Sequence, residues 1–120
     1  MGHPYEKIIL EHYRWPRHRG RLTKPTASFS AGNPSCGDQL TIDVTTDHAG
    51  KIIAVGWEAS GCAISQAAAS WFSDFMLNKK LTAIQNLPPE KFLAGFTAHL
   101  SPGRLACALL PLTTIKRSAD

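Results

Sequence analysis

Long hydrophobic runs are missing from this chain. Nothing in it approaches the roughly 20 apolar residues that span a bilayer, and Glu6 and Lys7 interrupt the segment Met1 to Leu10 before a signal-peptide core can form. No membrane partner is expected, and the expected location is the cytoplasm. CxxC pairs are also missing, which excludes zinc ribbons and thioredoxin-like redox motifs. The only cysteines are Cys36, Cys62 and Cys107, an odd number far apart in sequence and a poor basis for a disulfide framework in a reducing compartment. There is no glycine-rich phosphate loop, no internal repeat and no low-complexity tract. The net charge of +4 is modest. Its early basic run, Arg14, Arg17, His18, Arg19, Arg21 and Lys24, lacks the zinc-finger, RNA-binding and homeodomain patterns, so nucleic acid is not an expected partner. A solvated basic face, or a docking patch for an acidic protein, is the favoured reading.

What remains is an ordinary globular composition, 43% hydrophobic and 18% charged over 120 residues, which predicts a single domain over residues 1–120 with its own core. Tyr5, Ile8, Ile9, His12 and Tyr13 recur at helical spacing, and Pro16 stops that helix. Residues 26–31 carry a weak strand signal. Leu40, Ile42 and Val44 alternate with Thr41, Asp43 and Thr45 as in a half-buried strand. Asp47-His48-Ala49-Gly50 supplies a turn, and residues 52–58 return as a second strand to complete a hairpin. Cys62 to Leu77 is predicted as a helix opened by Ser60 or Gly61 and ended by Asn78-Lys79-Lys80. Pro89 to about Leu100 reads as a further helix. In the last apolar segment, Arg104 to Ile115, Pro111 is expected to limit the helix to a couple of turns. The expected class is α+β, a small antiparallel sheet with helices on one side.

The hairpin links the cysteines. With its turn near Ala49, opposed residues have numbers that total about 98, which sets Cys36 against Cys62 just beyond the strands. Opposed positions in an antiparallel pair lie only ~5 Å apart. Asn33-Pro34-Ser35-Cys36-Gly37-Asp38 is turn-forming, and Cys36 and Asp38, two residues apart in an extended segment, can face one ion. Ser60-Gly61-Cys62-Ala63 places Cys62 at a helix N-terminus, where dipole and free amides favour thiolate. Cys107 follows Ser101-Pro102-Gly103-Arg104 near another helix start, with Arg104 one turn away. Three thiolates and a carboxylate make a four-coordinate set suited to iron–sulfur or zinc, so the three sulfurs should converge, none of them more than ~10 Å from another. His12 and His99 lie in no ligand-spaced pair and read as surface or core residues, although His99 is the histidine nearest Cys107 in sequence. Trp71, Phe72 and Phe75 read as core. Ser65 and Ser70 read as helix surface, with no base placed to activate either.

These segments carry a resemblance. The Asn33–Asp38 turn, Ser60-Gly61-Cys62-Ala63-Ile64-Ser65, the lone C-terminal cysteine and Glu11-His12-Tyr13-Arg14-Trp15-Pro16-Arg17-His18-Arg19-Gly20 resemble the U-type iron–sulfur scaffold family (NifU N-terminal domain, IscU, SufU) from about Tyr5 to Cys107. The resemblance implies a site of Cys36, Asp38, Cys62 and Cys107. That site would hold a transient Fe–S cluster of the [2Fe–2S] kind, take its sulfur from a pyridoxal-phosphate cysteine desulfurase and pass the cluster to apo-proteins. It implies a scaffold rather than an enzyme. The alternative is a zinc-bound sulfurtransferase partner of the SufU type, with Zn²⁺ in the same site and Cys107 accepting persulfide sulfur. The chain departs from the IscU pattern, with Ala106 where a histidine precedes the third cysteine. It has Leu100-Ser101-Pro102-Gly103-Arg104 in place of a Leu-Pro-Pro-Val-Lys motif, which argues against an Hsp70-type chaperone partner. It also lacks the insertion of SufU-type members between the second and third cysteines, and the two subfamilies stay open.

Overall fold

The computed structural model describes residues 4–33, 37–96 and 102–116. In chain order the elements are α1 (Pro4–Arg14), β1 (Ala27–Asn33), β2 (Asp38–Thr46), β3 (Ile52–Ser60), α2 (Ala63–Met76), α3 (Leu81–Gln85), α4 (Pro89–Phe96) and α5 (Pro102–Lys116). The strands form one antiparallel sheet in the order β1-β2-β3, so the α+β expectation holds. The weakly signalled first strand is full length. Helix α3, which the sequence reading lacks, is a five-residue turn that buries only Ile84. No helix of the described residues is long and apolar enough to cross a membrane.

Alternation divides the sheet into two faces. Phe29 opposes Ile42 and Ile42 opposes Trp57, Ala31 opposes Leu40, and Val44 opposes Val55, so these side chains share the inner face. Helices α2 and α5 pack on that face, α1 lies against α2, and the core closes with Phe72, Met76, Phe92, Leu110 and Ile115. Phe92 meets Phe72 edge to face at 5.1 Å. The small residues Ala67, Ala68 and Ala69 bring α2 close to its neighbours. Asn78, in the left-handed region at φ 71°, turns the chain out of α2.

Three expectations need correction. Pro111 does not shorten the last helix, because α5 runs through it to Lys116. Proline removes one helical donor, and tertiary packing of Ala108, Leu112 and Ile115 holds the remaining turns. The hairpin register is one residue from the expected one. Leu40 opposes Ala59 and Gln39 opposes Ser60, and only past an irregularity between Thr45 and Thr46 does Thr46 oppose Ile52. A one-residue slip changes which side chains share a face, and continuing the ladder sets Asp38, not Gly37, level with Gly61. Finally, Ser65 and Ser70 are buried, not on a helix surface.

The early basic run is also more than a solvated face. His18 and Gly20 bond the backbone of Trp57 along the outer edge of β3, and Trp57 Nε1 donates to the Arg17 carbonyl at 2.7 Å. From there the chain crosses the outer face of the sheet. A Cβ on Gly56 would stand 2.3 Å from the Gly20 carbonyl oxygen, so only glycine admits this strap. Arg21 grips the fully buried Asp43 through both carboxylate oxygens, at 2.6 and 3.1 Å, and Ser28 Oγ and the Leu22 amide donate to the same carboxylate. Arg19 pairs with Glu58, and His18 with Asp74.

Burial of Asp43 opposes its ionisation, but the donors from Arg21, Ser28 and Leu22 outweigh burial and hold its carboxyl below the ordinary range. A carboxyl depressed on folding adds stability above its unfolded pKa, about 3.9, and that stability is lost as pH falls through the lower folded value. Asp43→Asn should therefore cost about 2 kcal/mol at neutral pH. In urea unfolding measured across pH, the gap from wild type should close as the pH is lowered below about 4.

Candidate metal centre

At the end of the sheet where β2 starts and β3 runs into α2, the first residue of β2 points inward. Asp38 is 1% exposed, and it is held there by its neighbours. Oδ1 accepts from the Cys62 amide at 2.9 Å and Oδ2 from Ser65 Oγ at 2.5 Å. The carboxylate occupies the volume that a side chain at residue 61 would fill. A Cβ on Gly61 would lie 2.0 Å from Asp38 Oδ1, and Gly61 itself has φ 130°. Cys62, not Ser60 or Gly61, is the N-cap of α2, its Sγ 3.5 Å from the Ser65 amide. Sulfur is a weak acceptor for this role. The Asp38 carboxylate takes the Cys62 amide proton and sets a negative charge at the helix N-terminus, where the macrodipole favours it.

Cys107 reaches the same point from the second turn of α5 and is buried. One donor atom each from Asp38, Cys62 and Cys107 lie within 4.8 Å of one another. Cys62 Sγ is 3.3 Å from Asp38 Oδ2, and Asn33 Nδ2 stands 4.0 Å from Cys107 Sγ. Asn33 pairs directly with Asp38 across β1 and β2. Burial works against the charge on Asp38, yet donors from Ser65, the Cys62 amide and the thiols of Cys62 and Cys107 bring its carboxyl below the ordinary range. An ionised carboxylate beside two thiols, both free of disulfides, is one hard and two soft donors around one point. This set suits iron in a sulfide cluster or Zn²⁺ and suits Mg²⁺ or Ca²⁺ poorly.

Residues 4–120 match the family described as "NifU-like N terminal domain". The chain belongs to that family. The iron-sulfur cluster assembly scaffold protein IscU of Streptococcus pyogenes serotype M1 is 32% identical over 143 aligned positions, covering 100% of this chain and 87% of that protein. Because this chain has only 120 residues, the relative carries segments that this NifU-like domain lacks. The iron-sulfur cluster assembly enzyme IscU of Drosophila melanogaster is 27% identical over 115 residues, 93% of this chain and 73% of that one. Among solved structures, FiSufU from Fervidobacterium islandicum AW-1 superposes with a TM-score of 0.73 at 23% identity, covering 91% of each chain. The N-terminal NifU-like protein of Brucella abortus gives 0.72 at 20% identity, over 93% of this chain and 89% of that one. Both likenesses concern the fold.

Of the four site residues expected from sequence, three lie together in this NifU-like domain. Cys36 falls outside the described residues, as do His99 and the side chain of Arg104. The residues flanking the Cys36 turn, Asn33 and Gly37, are joined by a backbone bond of 2.8 Å from Gly37 N to Asn33 O. Of the two readings open for His12, surface or core, the structure shows the core one. It is buried between α1 and α2, 2.8 Å from Ser70 Oγ and 2.8 Å from the Arg17 guanidinium, and burial together with Arg17 lowers its pKa. Ser65 and Asn33 are the site neighbours that the sequence reading did not assign. Ser65 stands three residues beyond the N-cap, the position from which a polar side chain reaches back in a capping box.

Gly61→Ala should be strongly damaging for a single added methyl. It meets both the positive φ and the carboxylate, so a loss of about 2–4 kcal/mol is expected in chemical denaturation, with Asp38→Ala in the same chain recovering part of it.

Proposed function

We propose that this NifU-like domain is an iron–sulfur cluster assembly scaffold that works as one domain over residues 1–120, holding a transient [2Fe–2S] cluster as cargo on Cys36, Asp38, Cys62 and Cys107. The observation that carries the reading is the meeting of Asp38, Cys62 and Cys107 within 4.8 Å, from three separate elements around a buried carboxylate. The names of the relatives support the same class of function. Two described thiols free of disulfide fit a reducing location such as the cytoplasm.

The residues divide the work by their chemistry. Cys62 and Cys107 supply soft thiolate donors and give up their protons as iron and sulfide are loaded. Asp38 supplies a hard oxygen, a poorer partner for cluster iron than sulfur, and so keeps the cargo exchangeable. Sulfur comes from a cysteine desulfurase carrying a persulfide. The Cys107 thiolate attacks the outer sulfur, a new S–S bond forms, the donor's S–S bond breaks, and the donor cysteine leaves as thiolate with no net redox change. Cys107 is 5% exposed in α5, so the N-terminal turns of that helix must swing outward for this encounter. Release of that sulfur as cluster sulfide takes two electrons per sulfur from a separate reductant, an electron-carrier protein or a small thiol, and apo-proteins that supply all-thiolate sites then receive the cluster.

Iron and acid-labile sulfide in comparable amounts in anaerobically purified protein, with a sulfide-to-iron charge-transfer spectrum, is the expected result. Stoichiometric zinc without sulfide would replace the scaffold reading with that of a zinc-bound sulfurtransferase. Asp38→Ala should retain the fold and slow cluster transfer to an apo-acceptor at least several-fold; unchanged transfer would remove Asp38 from the mechanism.

Mass spectrometry after incubation with a desulfurase and cysteine should find the added sulfur on Cys107. Sulfur appearing on Cys36 or Cys62 in wild type, and equally in Cys107→Ser, would sink the assignment of Cys107 as entry point.

A further inference from the structure

A single buried residue touches Asp38, Cys62 and Cys107 from behind. Ser65 is 1% exposed and stands three residues past Cys62 in α2, where helical side chains lean back over the preceding turn. Its amide lies 3.5 Å from Cys62 Sγ. Its hydroxyl is 3.5 Å from the same sulfur, 3.3 Å from the backbone carbonyl oxygen of Cys107 and 2.5 Å from Asp38 Oδ2. Two other buried helical hydroxyls bond their own helix: Ser73 donates to the Ser70 carbonyl and Thr114 to the Leu110 carbonyl, each at 2.7 Å. Ser65 instead makes its shortest contact off the helix, on a carboxylate that arrives from β2.

Asp38 is anchored at both oxygens. The Cys62 amide bonds Oδ1 at 2.9 Å within the space that Gly61 leaves, and the Ser65 hydroxyl bonds Oδ2. One bond alone would let the carboxylate pivot about Oδ1, and the second fixes its plane. Oδ2 is the oxygen beside sulfur, 3.3 Å from Cys62 Sγ, and so the one aimed at an ion shared with the thiolates. A carboxylate oxygen accepts more than one bond at once, and the hydroxyl can therefore stay in place when an ion joins it there. Partners of this kind orient a ligand ahead of the metal, and their removal commonly costs about ten- to a hundredfold in metal affinity.

We propose that Ser65 is the positioning residue of this site, whose hydroxyl fixes which oxygen of Asp38 meets the metal and in what direction. The bond is the same in the empty and the filled site, so Asp38 enters as a ligand already aimed, through Oδ2 alone, with Oδ1 kept on the Cys62 amide. Without the hydroxyl the carboxylate turns away and water takes its place on the ion. The inference rests on the site of Asp38, Cys62 and Cys107 proposed above and adds Ser65 to it.

The test is a double-mutant cycle of Ser65→Ala and Asp38→Ala on the full chain, read as Zn²⁺ affinity by competition with a chromophoric chelator. Ser65→Ala should weaken Zn²⁺ binding about ten- to a hundredfold, and in the Asp38→Ala background it should have no further effect. A role in packing alone would persist there. Ser65→Thr and Ser65→Val, alike in shape and different in the hydroxyl, separate the bond from the volume: the threonine variant should bind Zn²⁺ more tightly by a similar factor. With Co²⁺ in place of Zn²⁺, the visible ligand-field spectrum of Ser65→Ala should resemble that of Asp38→Ala, and that of Ser65→Thr should resemble wild type. Losses that simply add in the cycle, equal binding by the threonine and valine variants, or a Co²⁺ spectrum unchanged in Ser65→Ala would overturn the inference while leaving the metal site intact. Wild type that binds Zn²⁺ no better than Cys62→Ser would overturn the site itself, and the inference with it.

Discussion

A carboxylate taken out of water at the junction of a strand and a helix is the constraint on which this structure is organised. Leaving a charge in the interior costs several kcal/mol unless donors surround it, and every element near Asp38 contributes to that end. The N-terminus of α2 supplies an amide, Ser65 supplies a hydroxyl, and residue 61 carries no side chain because the carboxylate stands where one would be. The two described thiols complete the shell. The same arrangement that makes the charge tolerable makes the group a ligand. A carboxylate held ionised, fixed in direction and flanked by sulfur needs no rearrangement of backbone to meet a cation.

A second buried carboxylate, Asp43, stands five residues further along the same strand but on the opposite face, and its environment differs in kind. Its partners are a bidentate guanidinium, a hydroxyl and an amide, all of them donors with nothing for a metal to share. That carboxylate fastens the basic strap to the outer face of the sheet. One strand thus carries two buried aspartates with separate uses, and the chemical softness of the neighbours distinguishes them.

Most of the fold was legible because its periodicities are local. The alternation in β2, the helical spacing in α1 and α2 and the turn at Asp47–Gly50 each declare themselves within ten residues or so. The hairpin register was less legible, because a single irregularity between Thr45 and Thr46 displaces the ladder by one, and no local signal marks it. The site was legible through its cysteines and Asp38, whose chemistry is evident from residue type. Ser65 was not, because whether a helical serine faces water or a carboxylate depends on β2, more than twenty residues earlier. Pro111 is the complementary case: a proline's local effect on a helix is plain in the sequence, and the tertiary packing that carries α5 past it is invisible in one dimension. The basic run, which in sequence looks like a solvated face or a docking patch, likewise takes its meaning from partners far along the chain, with Asp43, Glu58 and Asp74 engaging Arg21, Arg19 and His18 in turn.

The strap along β3 has a further result. An exposed strand edge is a template for pairing with another chain, and a three-stranded sheet begins with two such edges. On β3 the outward-facing backbone of Trp57 is already bonded to His18 and Gly20, and that of Ile52 to Asn78 and Lys79. An incoming strand would have to displace both. Among the described residues no strand pairs with the far side of β1, so strand-to-strand association between copies has one edge to use. A sheet with a single open edge is completed by its first pairing: it can join two molecules about a twofold axis, and it has no second edge from which to grow into a fibre.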